Sequence, residues 1–357
     1  MGIPVINYTP ESTWEFGAAA QGYFRLPNQE RTSIVQLDGT YSLRHQWYIN
    51  AQGTLYFGNS KFKIQNSKFS PSWQLQFRAG YSDRPATYYG VYNDHRFANE
   101  GNMGIGMLRR GTPYQMQRGY LNIQAPISVG KDWSVGPMAD LLITQYDIAG
   151  KYKTPSPLVQ AALGAVALYD SRDNTFYPTH GIFFKLSAAA AWTSKVDIPE
   201  GQQAAINGLL AADLRQYIPL PHDLVVAWQF KSQLMLSKYD ISHITMYPLL
   251  PRLGGQDGLR GISSDMFRDD IMMALQAELR FPIWSIFRGA VFAGIGDVYD
   301  YHNWHWAMPK VGYGVGLRAA INKAKVNIRF DVARSNVDPR WNNINAYSFY
   351  LTATEAF

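Results

Sequence analysis

The sequence has no cysteine, few charged residues and no long apolar run, and each of these absences narrows what the chain can be. Without cysteine, the chain can form neither a disulfide framework nor a thiolate metal site. Charged residues make up 17% of the 357 residues, against about 25% in ordinary soluble proteins. No stretch approaches the roughly 18 consecutive apolar residues that a membrane-spanning helix needs. A helical membrane protein is therefore excluded.

The N-terminal segment bears on export of the protein, and the charge distribution bears on nucleic-acid binding. Residues 1–12 lack the basic and apolar regions of a secretion signal. Because the features below are those of an exported protein, we expect that a signal was removed and a start Met supplied. The net charge is +6, with Lys and Arg spread along the chain. A nucleic-acid partner is not expected, since such proteins concentrate basic residues in one patch.

Aromatic residues and a period of two dominate what is present. Tyr, Phe and Trp make up 14% of the sequence. In residues 222–237, Trp228 and Phe230 share one face, and Gln229 and Lys231 share the other. The same alternation recurs over residues 71–82 and 323–334. One such strand also fits a half-buried soluble sheet, but repetition along the whole chain favours a membrane barrel, whose strands alternate between lipid and lumen.

The sequence thus predicts an all-β fold, a sixteen-stranded antiparallel transmembrane β-barrel over residues 13–357 that follows a short N-terminal segment, residues 1–12. The strands are expected over residues 13–25, 31–44, 46–58, 71–82, 86–96, 113–127, 132–148, 157–171, 181–194, 205–218, 222–237, 269–283, 286–300, 310–321, 323–335 and 345–357. Short turns are expected on the periplasmic side and long loops outside. The long loops are predicted over residues 59–70, 97–112, 195–204, 238–268 and 336–344. An even strand number places both termini in the periplasm.

Four ordered segments carry more specific information. The longest connection contains a Gly-rich string that ends in Gly258, Leu259, Arg260, Gly261 and Ile262. The next strand reads Ala-Glu-Leu-Arg-Phe-Pro and contains Glu278, and the strand after it carries Phe292, Gly294 and Gly296. Upstream, the string from Asp170 to Gly181 forms a turn that contains Arg172, Asp173 and Pro178. Singly, each string is an ordinary turn or strand, so their joint order carries the information.

This order resembles the Omp-eighty-five superfamily of BamA-, TamA- and FhaC-like outer-membrane barrels, which includes bacterial surface antigens. In that family the sixth outer loop folds into the lumen, and its tip arginine meets acids on the barrel wall. The resemblance implies that loop 238–268 enters the lumen, with Gly258–Ile262 as its tip. Period two turns Glu278 inward, so Glu278 is the expected partner of Arg260, through the charge-assisted bonds that a guanidinium makes to a carboxylate.

Three departures from the family pattern qualify this interpretation. Gly294 stands where the family has an aspartate, and Asp297 is expected to face outward or lie at the rim, where it is a poor substitute. Ile262 stands where the family has an aromatic residue, so a weaker or different loop anchor is expected. The chain also has no room for the periplasmic POTRA domains of family members. Either a separate periplasmic partner supplies that role, which we expect, or the barrel has another function.

The resemblance implies a non-enzymatic outer-membrane component of a Gram-negative bacterium that inserts or exports proteins. The expected partners are outer-membrane lipids and lipopolysaccharide, a periplasmic partner protein and a client polypeptide, and no cofactor is expected. The oligomeric state stays open, with a homodimer as one option. A passive pore or diffusion channel is the alternative function, although a loop inside the lumen argues against an open porin.

An outer-membrane hydrolase is the third function considered. Asp94 and His95 could lie near the outer rim, but a solvated loop pair explains them better, because a catalytic base needs a positioned partner. His302 and His305 with Asp300 could bind a metal, but a His-x-x-His string between two tryptophans is more often part of an aromatic rim at the membrane interface. We therefore expect no catalytic residue and no metal site.

Overall fold

The strands pair with their neighbours in the sequence and close into a ring in the structure, a computed structural model. One sheet contains eighteen strand segments. The first strand pairs antiparallel with the second on one side and with the last strand on the other. The sheet therefore closes on itself as a β-barrel, which leaves no free edge.

The strands are β1 (Gly2–Thr9), β2 (Thr13–Phe24), β3 (Ser33–Ser42), β4 (Trp47–Phe57), β5 (Trp73–Tyr88), β6 (Thr112–Gln124), β7 (Ile127–Ser128), β8 (Trp133–Ile148), β9 (Tyr152–Lys153), β10 (Leu158–Asp170), β11 (Gly181–Ile198), β12 (Gly201–Leu220), β13 (Leu224–Leu236), β14 (Ile271–Trp284), β15 (Phe287–Tyr299), β16 (Lys310–Ala320), β17 (Asn327–Ser335) and β18 (Tyr347–Thr352). A short 3-10 helix covers Tyr247–Leu249. The structure describes residues 2–9, 13–27, 29, 31–57, 72–88, 112–148, 152–153, 157–175, 177–198, 201–237, 247–255, 258–264, 266–301, 304, 309–320, 327–337 and 347–352. Within these residues, no helix has the length and apolarity needed to cross a membrane.

Alternation along β14 separates an inner polar face from an outer apolar face. Gln276, Glu278 and Arg280 are buried, whereas Leu275 and Leu279 are exposed. This is the parity that the sequence predicts for the strand. The inner wall therefore carries charged groups, which need partners because buried charges are costly when unpaired.

The two ends of the barrel differ in their connections. Connections of ten, three and two residues follow Asp170, Leu220 and Trp284, and all three lie at the end that we call the turn end. The longest connection, residues 237–270 between β13 and β14, lies at the opposite end, which we call the loop end. Connection length alone does not separate the two ends, because β11 ends at Ile198 and β12 begins at Gly201 at the loop end as well.

The N-terminal third of the chain corrects two predictions about strands. A strand, β1, lies within residues 1–12, where none was expected. The separate strand expected over residues 86–96 is wrong at its start, because β5 runs without a break to Tyr88 and pairs directly with β6; residues 89–96 lie outside the described residues. Because of these two errors, β2, β3 and β4 cross the barrel in the direction opposite to the one that the sequence predicted.

Residues 59–70, expected as an outer loop, lie outside the described residues, but the strand ends that flank them are at the other end of the barrel. Trp73, which begins β5, pairs with Phe57 and with Ile127, so these strand ends lie at the turn end. The loop expected over residues 195–204 is mostly strand, because β11 runs to Ile198 and β12 begins at Gly201. The alternation of polar and apolar residues continues through Val196 and Ile198, so β11 is longer than crossing requires.

Closure of the barrel can be tested by a disulfide across the seam between β1 and β18, because the chain has no native cysteine. Tyr8 and Phe349 are Cα partners, and directly opposite antiparallel residues lie about 4.5–5.5 Å apart, within reach of a disulfide. We expect Tyr8→Cys with Phe349→Cys to cross-link under mild oxidation, seen as a mobility shift on denaturing gels. Tyr81→Cys with Phe349→Cys, separated by four strands, is the control. An equal yield in both pairs would contradict the closed ring.

Candidate functional site

The connection between β13 and β14 packs against the inner face of the strands that follow it. Leu253, Leu259, Ile262 and Phe267 from this connection are at most 2% exposed. They form one apolar cluster with buried residues of β14 and β15, namely Met272, Ala274 and Val298. Since burying such side chains contributes about 1.5–3 kcal/mol each, the connection is held along its length as well as at its tip.

The guanidinium of Arg260 lies between two carboxylates at the tip of the connection. Nη2 is 3.0 Å from Oε2 of Glu278 on β14, and Nη1 donates to Oδ2 of Asp331 on β17 at 2.8 Å. The guanidinium carbon lies 3.5 Å from the centre of the Phe292 ring, a cation–π contact. Arg260 is 1% exposed. The structure thus brings together the pair that the sequence predicts and adds a second acid.

Three further arginines from the wall surround the same two acids. Nε of Arg280 donates to Glu278 at 2.9 Å, and Nη2 of Arg318 donates to both oxygens of Glu278 at 3.1 and 3.2 Å. Nη1 of Arg318 also donates to Asp331 at 2.5 Å, and Nε of Arg329 lies 3.5 Å from Asp331. Four guanidiniums therefore share two carboxylates in a fully buried cluster, which we call the Arg260 site.

The two departures at the loop tip have a steric explanation. A Cβ on Gly294 would lie 2.6 Å from Cδ1 of Leu259 and 2.7 Å from Cγ of Gln276, so the side chain of Leu259 occupies the space of the family's aspartate. Asp331 supplies the second acid from β17 instead. Ile262 packs in the apolar cluster, so an aromatic ring is not required there.

Backbone contacts fix the rest of the tip. The amide of Gln276 donates to the carbonyl of Gly258 at 2.8 Å, and the N–H of Gly261 donates to the hydroxyl of Tyr350 at 3.3 Å. Gly261 has φ of 90°, and a Cβ there would lie 2.5 Å from the carbonyl of Arg334. Only glycine meets both requirements. On β15, a Cβ on Gly296 would likewise lie 2.6 Å from a backbone oxygen.

The upstream turn forms its own network at the turn end. Arg172 makes a bidentate contact with Asp170, at 2.9 and 3.1 Å. Asp173 accepts hydrogen bonds from the amide and hydroxyl of Thr179 at 2.8 and 2.7 Å. Gly181, with φ of 105°, begins β11. The carbonyl of Pro178 accepts a hydrogen bond from Arg280 at 3.2 Å, so this turn reaches the Arg260 site.

Several predicted positions lie elsewhere or outside the described residues. Asp297 is buried rather than outward-facing and pairs with Lys310 at 2.7 Å, so it is not a partner of Arg260. Asp94, His95, His302 and His305 lie outside the described residues. Across the ranges that the structure describes, no three His, Asp or Glu side chains are grouped so as to hold a metal ion.

The sequence did not identify Asp331 and Arg318 as members of the site. Period two places Asp331 on the polar face of its strand, which is a sufficient indication that it points inward. Which inward acid meets Arg260 depends on the stagger of β14, β16 and β17, and the sequence pattern does not determine that stagger.

Aromatic side chains attach the base of the connection, around Tyr247 and Arg268, to the barrel wall at β6. The ring of Tyr247 lies 6.4 Å from that of Tyr114 on β6, and Tyr114 lies 6.5 Å from Tyr146 on β8, both edge-on. The guanidinium of Arg268 lies 5.1 Å from the Tyr247 ring. The connection thus contacts the wall at β6 as well as at β14–β17.

We expect Glu278→Gln to lower the free energy of unfolding by about 3–5 kcal/mol, because it leaves guanidiniums buried around a neutral amide. Urea unfolding of the detergent-solubilised protein measures this. Asp83→Asn is the matched control, since the Asp83 oxygens accept hydrogen bonds from the neutral amides of Gln115 and Gln117. Similar losses in the two variants would show that the Arg260 site contributes no more than an ordinary polar contact.

The base of the connection should respond to pH through Asp269. Burial raises the pKa of this carboxyl to about 8, the amide of Asp270 lowers it in part, and Asp270, Asp300 and Asp297 raise it further. Arg268 and the Asp297–Lys310 pair are the other charged groups nearby. Since the folded state holds the proton more tightly than the unfolded chain, stability falls as the pH rises from about 4 to 8.

We therefore expect proteolysis of the connection to be faster at pH 9 than at pH 6.5, after correction for the protease's own pH dependence. Asp269→Asn should remove most of that difference, because an amide does not titrate. A difference of the same size in the variant would mean that another group controls the base.

Comparison with known proteins gives one family and one fold. Residues 58–357 match the family model described as the Omp85 superfamily domain. Two of the similar structures are BamA from Haemophilus ducreyi lacking POTRA domains 1–3, with 15% identity and a TM-score of 0.56, and CdiB from Acinetobacter baumannii, with 9% identity and a TM-score of 0.56. A third is CdiB from Escherichia coli, with 12% identity and a TM-score of 0.55. Each alignment covers 98% of this chain, which spans 69%, 59% and 61% of the three structures, respectively.

No curated protein sequence matches the chain. At these identities the solved structures establish the barrel fold alone, whereas the family model covers most of the sequence. On that match, and with the motif order and the closed barrel in agreement, the chain belongs to the Omp85 superfamily.

Proposed function

We propose that this chain is an outer-membrane barrel of a Gram-negative bacterium that inserts or exports polypeptides, and that connection 237–270 closes its lumen at rest. The observation that carries the proposal is the burial of the Arg260 guanidinium between Glu278 and Asp331. An open diffusion pore has no need of a loop tip held by a fully buried ion network. The family's insertion and translocation barrels have a use for one, because they must not leak between clients.

Sixteen transmembrane strands, with β1 as one of them, follow as part of this proposal, so the proposed barrel over residues 13–357 is extended by residues 2–9. β7 pairs with β5 and β8, as β6 does, so we treat it as the end of β6. β9 pairs with β8 ahead of β10, so we treat it as the start of β10. In this arrangement the turn end faces the periplasm and the loop end faces outward.

The outer surface suits a lipid environment. Exposed tryptophans, which favour the two membrane interfaces, include Trp14, Trp47, Trp133, Trp192, Trp284 and Trp304. Exposed aliphatic residues on the same outward face include Leu163 and Ile206, which are 73% and 74% exposed. Outer-membrane lipids and lipopolysaccharide are accordingly the proposed surroundings.

The depth of the loop tip supports its role as a plug. Glu278 lies seven residues beyond Ile271, the loop-end start of β14, and seven residues of strand span about 23 Å. The tip therefore contacts the wall well below the loop end. With Tyr247 against β6 on the other side, the connection crosses the lumen. We propose that Gly258–Ile262 form the anchored tip and that Glu278, Phe292, Gly294 and Gly296 form its seat.

The seam between β1 and β18 supports a role with polypeptides. Among the described residues of these strands, one Cα partner pair is recorded, Tyr8 with Phe349. By comparison, β17 and β18 share six pairs, from Arg329–Thr352 to Arg334–Tyr347. A seam with fewer ladder hydrogen bonds costs less to separate, so a client strand could pair there. A client polypeptide and a periplasmic partner are the proposed partners, and no catalytic step is proposed.

Planar-bilayer recording separates a closed translocation barrel from a passive pore. We expect quiet traces from the native protein and frequent openings after Arg260→Ala or deletion of residues 254–264, since an empty barrel of this size is wide enough for an aqueous channel. Asp83→Asn should stay quiet. Large, steady conductance in the native protein would favour the diffusion channel instead.

A folding assay addresses the polypeptide directly. Proteoliposomes that contain this chain should accelerate the membrane folding of a urea-denatured eight-stranded outer-membrane barrel, followed by its gel mobility. The Tyr8–Phe349 disulfide should slow that acceleration, and a reductant should restore it. A barrel that is quiet in bilayers but does not accelerate client folding would point to export rather than insertion.

A further inference from the structure

The loop tip and the upstream turn, two segments far apart in sequence, meet at one side chain on the inner wall. Arg280, which is fully buried, donates from Nε to Glu278 at 2.9 Å and from Nη1 to the carbonyl of Pro178 at 3.2 Å. Glu278 in turn contacts Arg260 at 3.0 Å. A path of three contacts therefore runs from the turn end of the barrel to the tip of the loop that enters from the opposite end.

Aromatic rings strengthen the turn's hold on Arg280. Its guanidinium carbon lies 5.2 Å from the ring centre of Tyr177 and 5.6 Å from that of Tyr217. The guanidinium of Arg288 lies 5.2 Å from the same Tyr177 ring. Tyr177 is 3% exposed, so these cation–π contacts are desolvated and correspondingly stronger than surface ones.

The turn that carries Tyr177 is stiff because its own polar groups hold it. Asn174 accepts a hydrogen bond from the N–H of Tyr177 at 2.9 Å, and Asp173 accepts those from Thr179 together with one from the N–H of His180 at 3.2 Å. Burial tends to raise the pKa of Asp173, but the bonds from Thr179 and His180 hold that pKa below its usual value. A force on the turn therefore moves Tyr177 and Pro178 together.

The charges of the Arg260 site indicate whether movement of the turn tightens or loosens the hold on Arg260. Among the described residues, the Arg260 site contains four guanidiniums and two carboxylates, so its positive groups outnumber its negative ones. The Pro178 carbonyl and the faces of Tyr177 and Tyr217 offset part of the charge on Arg280. When the turn withdraws, that offset is lost. Repulsion on Arg260 then rises, and Arg260 is the one cation of the cluster that is not fixed to a strand.

We propose that Arg280 is a positioning residue that couples the turn over residues 171–180 to the loop, so that displacement of the turn at one end of the barrel releases Arg260 inside it. The turn and the loop then form two halves of one closure. An event at the periplasmic side, such as engagement of the exposed His180 side chain, changes how firmly the outer loop is held. This coupling acts in the resting barrel and rests on the proposed function of the loop as a plug. It does not depend on which client polypeptide the barrel handles.

A buried cysteine in the loop reports release of the tip. Ile262→Cys, at a position 2% exposed, provides the only thiol in the chain, and a polar maleimide measures how often the tip leaves its seat. Tyr177→Leu in this background should raise the labelling rate about tenfold or more, the effect of losing desolvated cation–π contacts. Trp284→Ala, exposed at the end of the same strand as Arg280, is the matched control and should label at the parent rate.

Arg280→Lys provides a second test in case Tyr177→Leu does not fold. It keeps a charge beside Glu278 but lacks the fork that also reaches Pro178, so it should label as fast as Tyr177→Leu. Urea midpoints measured on the same samples separate local release from global loss of stability. Parent labelling rates in both variants, with intact barrels, would overturn the coupling.

Arg260→Ala distinguishes failure of the coupling from failure of the plug. If Arg260→Ala does not raise labelling, the loop is not anchored as proposed and the plug itself fails. If it does, adding Tyr177→Leu should have little further effect, because both changes act through one network. Fully multiplicative effects of the two changes would show that the turn and the loop are independent.

Discussion

The contact of two carboxylates with four guanidiniums inside the barrel is the interaction on which the rest of the structure depends. Without Glu278 and Asp331, the buried arginines would repel one another in a space where little water screens them. With them, the loop tip from one end and the upstream turn from the other can approach the same wall. The rings of Phe292, Tyr177 and Tyr217 carry part of the remaining positive charge. The attachment of the loop to the barrel wall is therefore an electrostatic arrangement, which apolar packing around Leu253 and Phe267 then supports.

The position of Gly294 illustrates how such an arrangement can change without being lost. A residue with a side chain at that position would meet Leu259, whereas Asp331 reaches Arg260 from two strands further along the barrel. At β15, the side chain of Leu259 thus fills the place that an acid would take. Asp331 on β17 supplies the acid instead. The guanidinium keeps two carboxylates, so the geometry of its fork is preserved even though one wall residue has moved.

The sequence predicts the parts of this structure that depend on local periodicity. Period two identified the barrel, most of its strands and the inward parity of Glu278. The Arg260–Glu278 contact follows from that parity together with the order of the motifs. The errors arose where the alternation is weak or interrupted. β1 contains Pro4, which a strand tolerates only at an edge or near an end, and Pro85 lies within β5, between the two strands that the sequence predicts there.

Local periodicity could not predict the contribution of Asp331, for a different reason. Its strand is 71 positions from Arg260, and the pattern fixes which way Asp331 points but not its height in the barrel. The height depends on the stagger between strands, which accumulates around the ring and is set by closure. Contacts between neighbouring motifs can therefore be predicted, whereas contacts across several strands require the three-dimensional structure.

The distribution of partners within the cluster explains how the loop could leave while the wall stays intact. If Arg260 withdraws, Glu278 still contacts Arg280 and Arg318, and Asp331 still contacts Arg318 and Arg329. No wall carboxylate is left as an unpaired buried charge, which is the state that makes the breaking of a buried ion pair so costly. Arg260 itself regains water as it leaves, and the wall loses part of its excess positive charge. Loss of Glu278 has no such relief, because three guanidiniums would remain around the vacancy. The cluster is thus asymmetric: its wall half is self-sufficient and its loop half is removable, which is the property that a reversible plug requires.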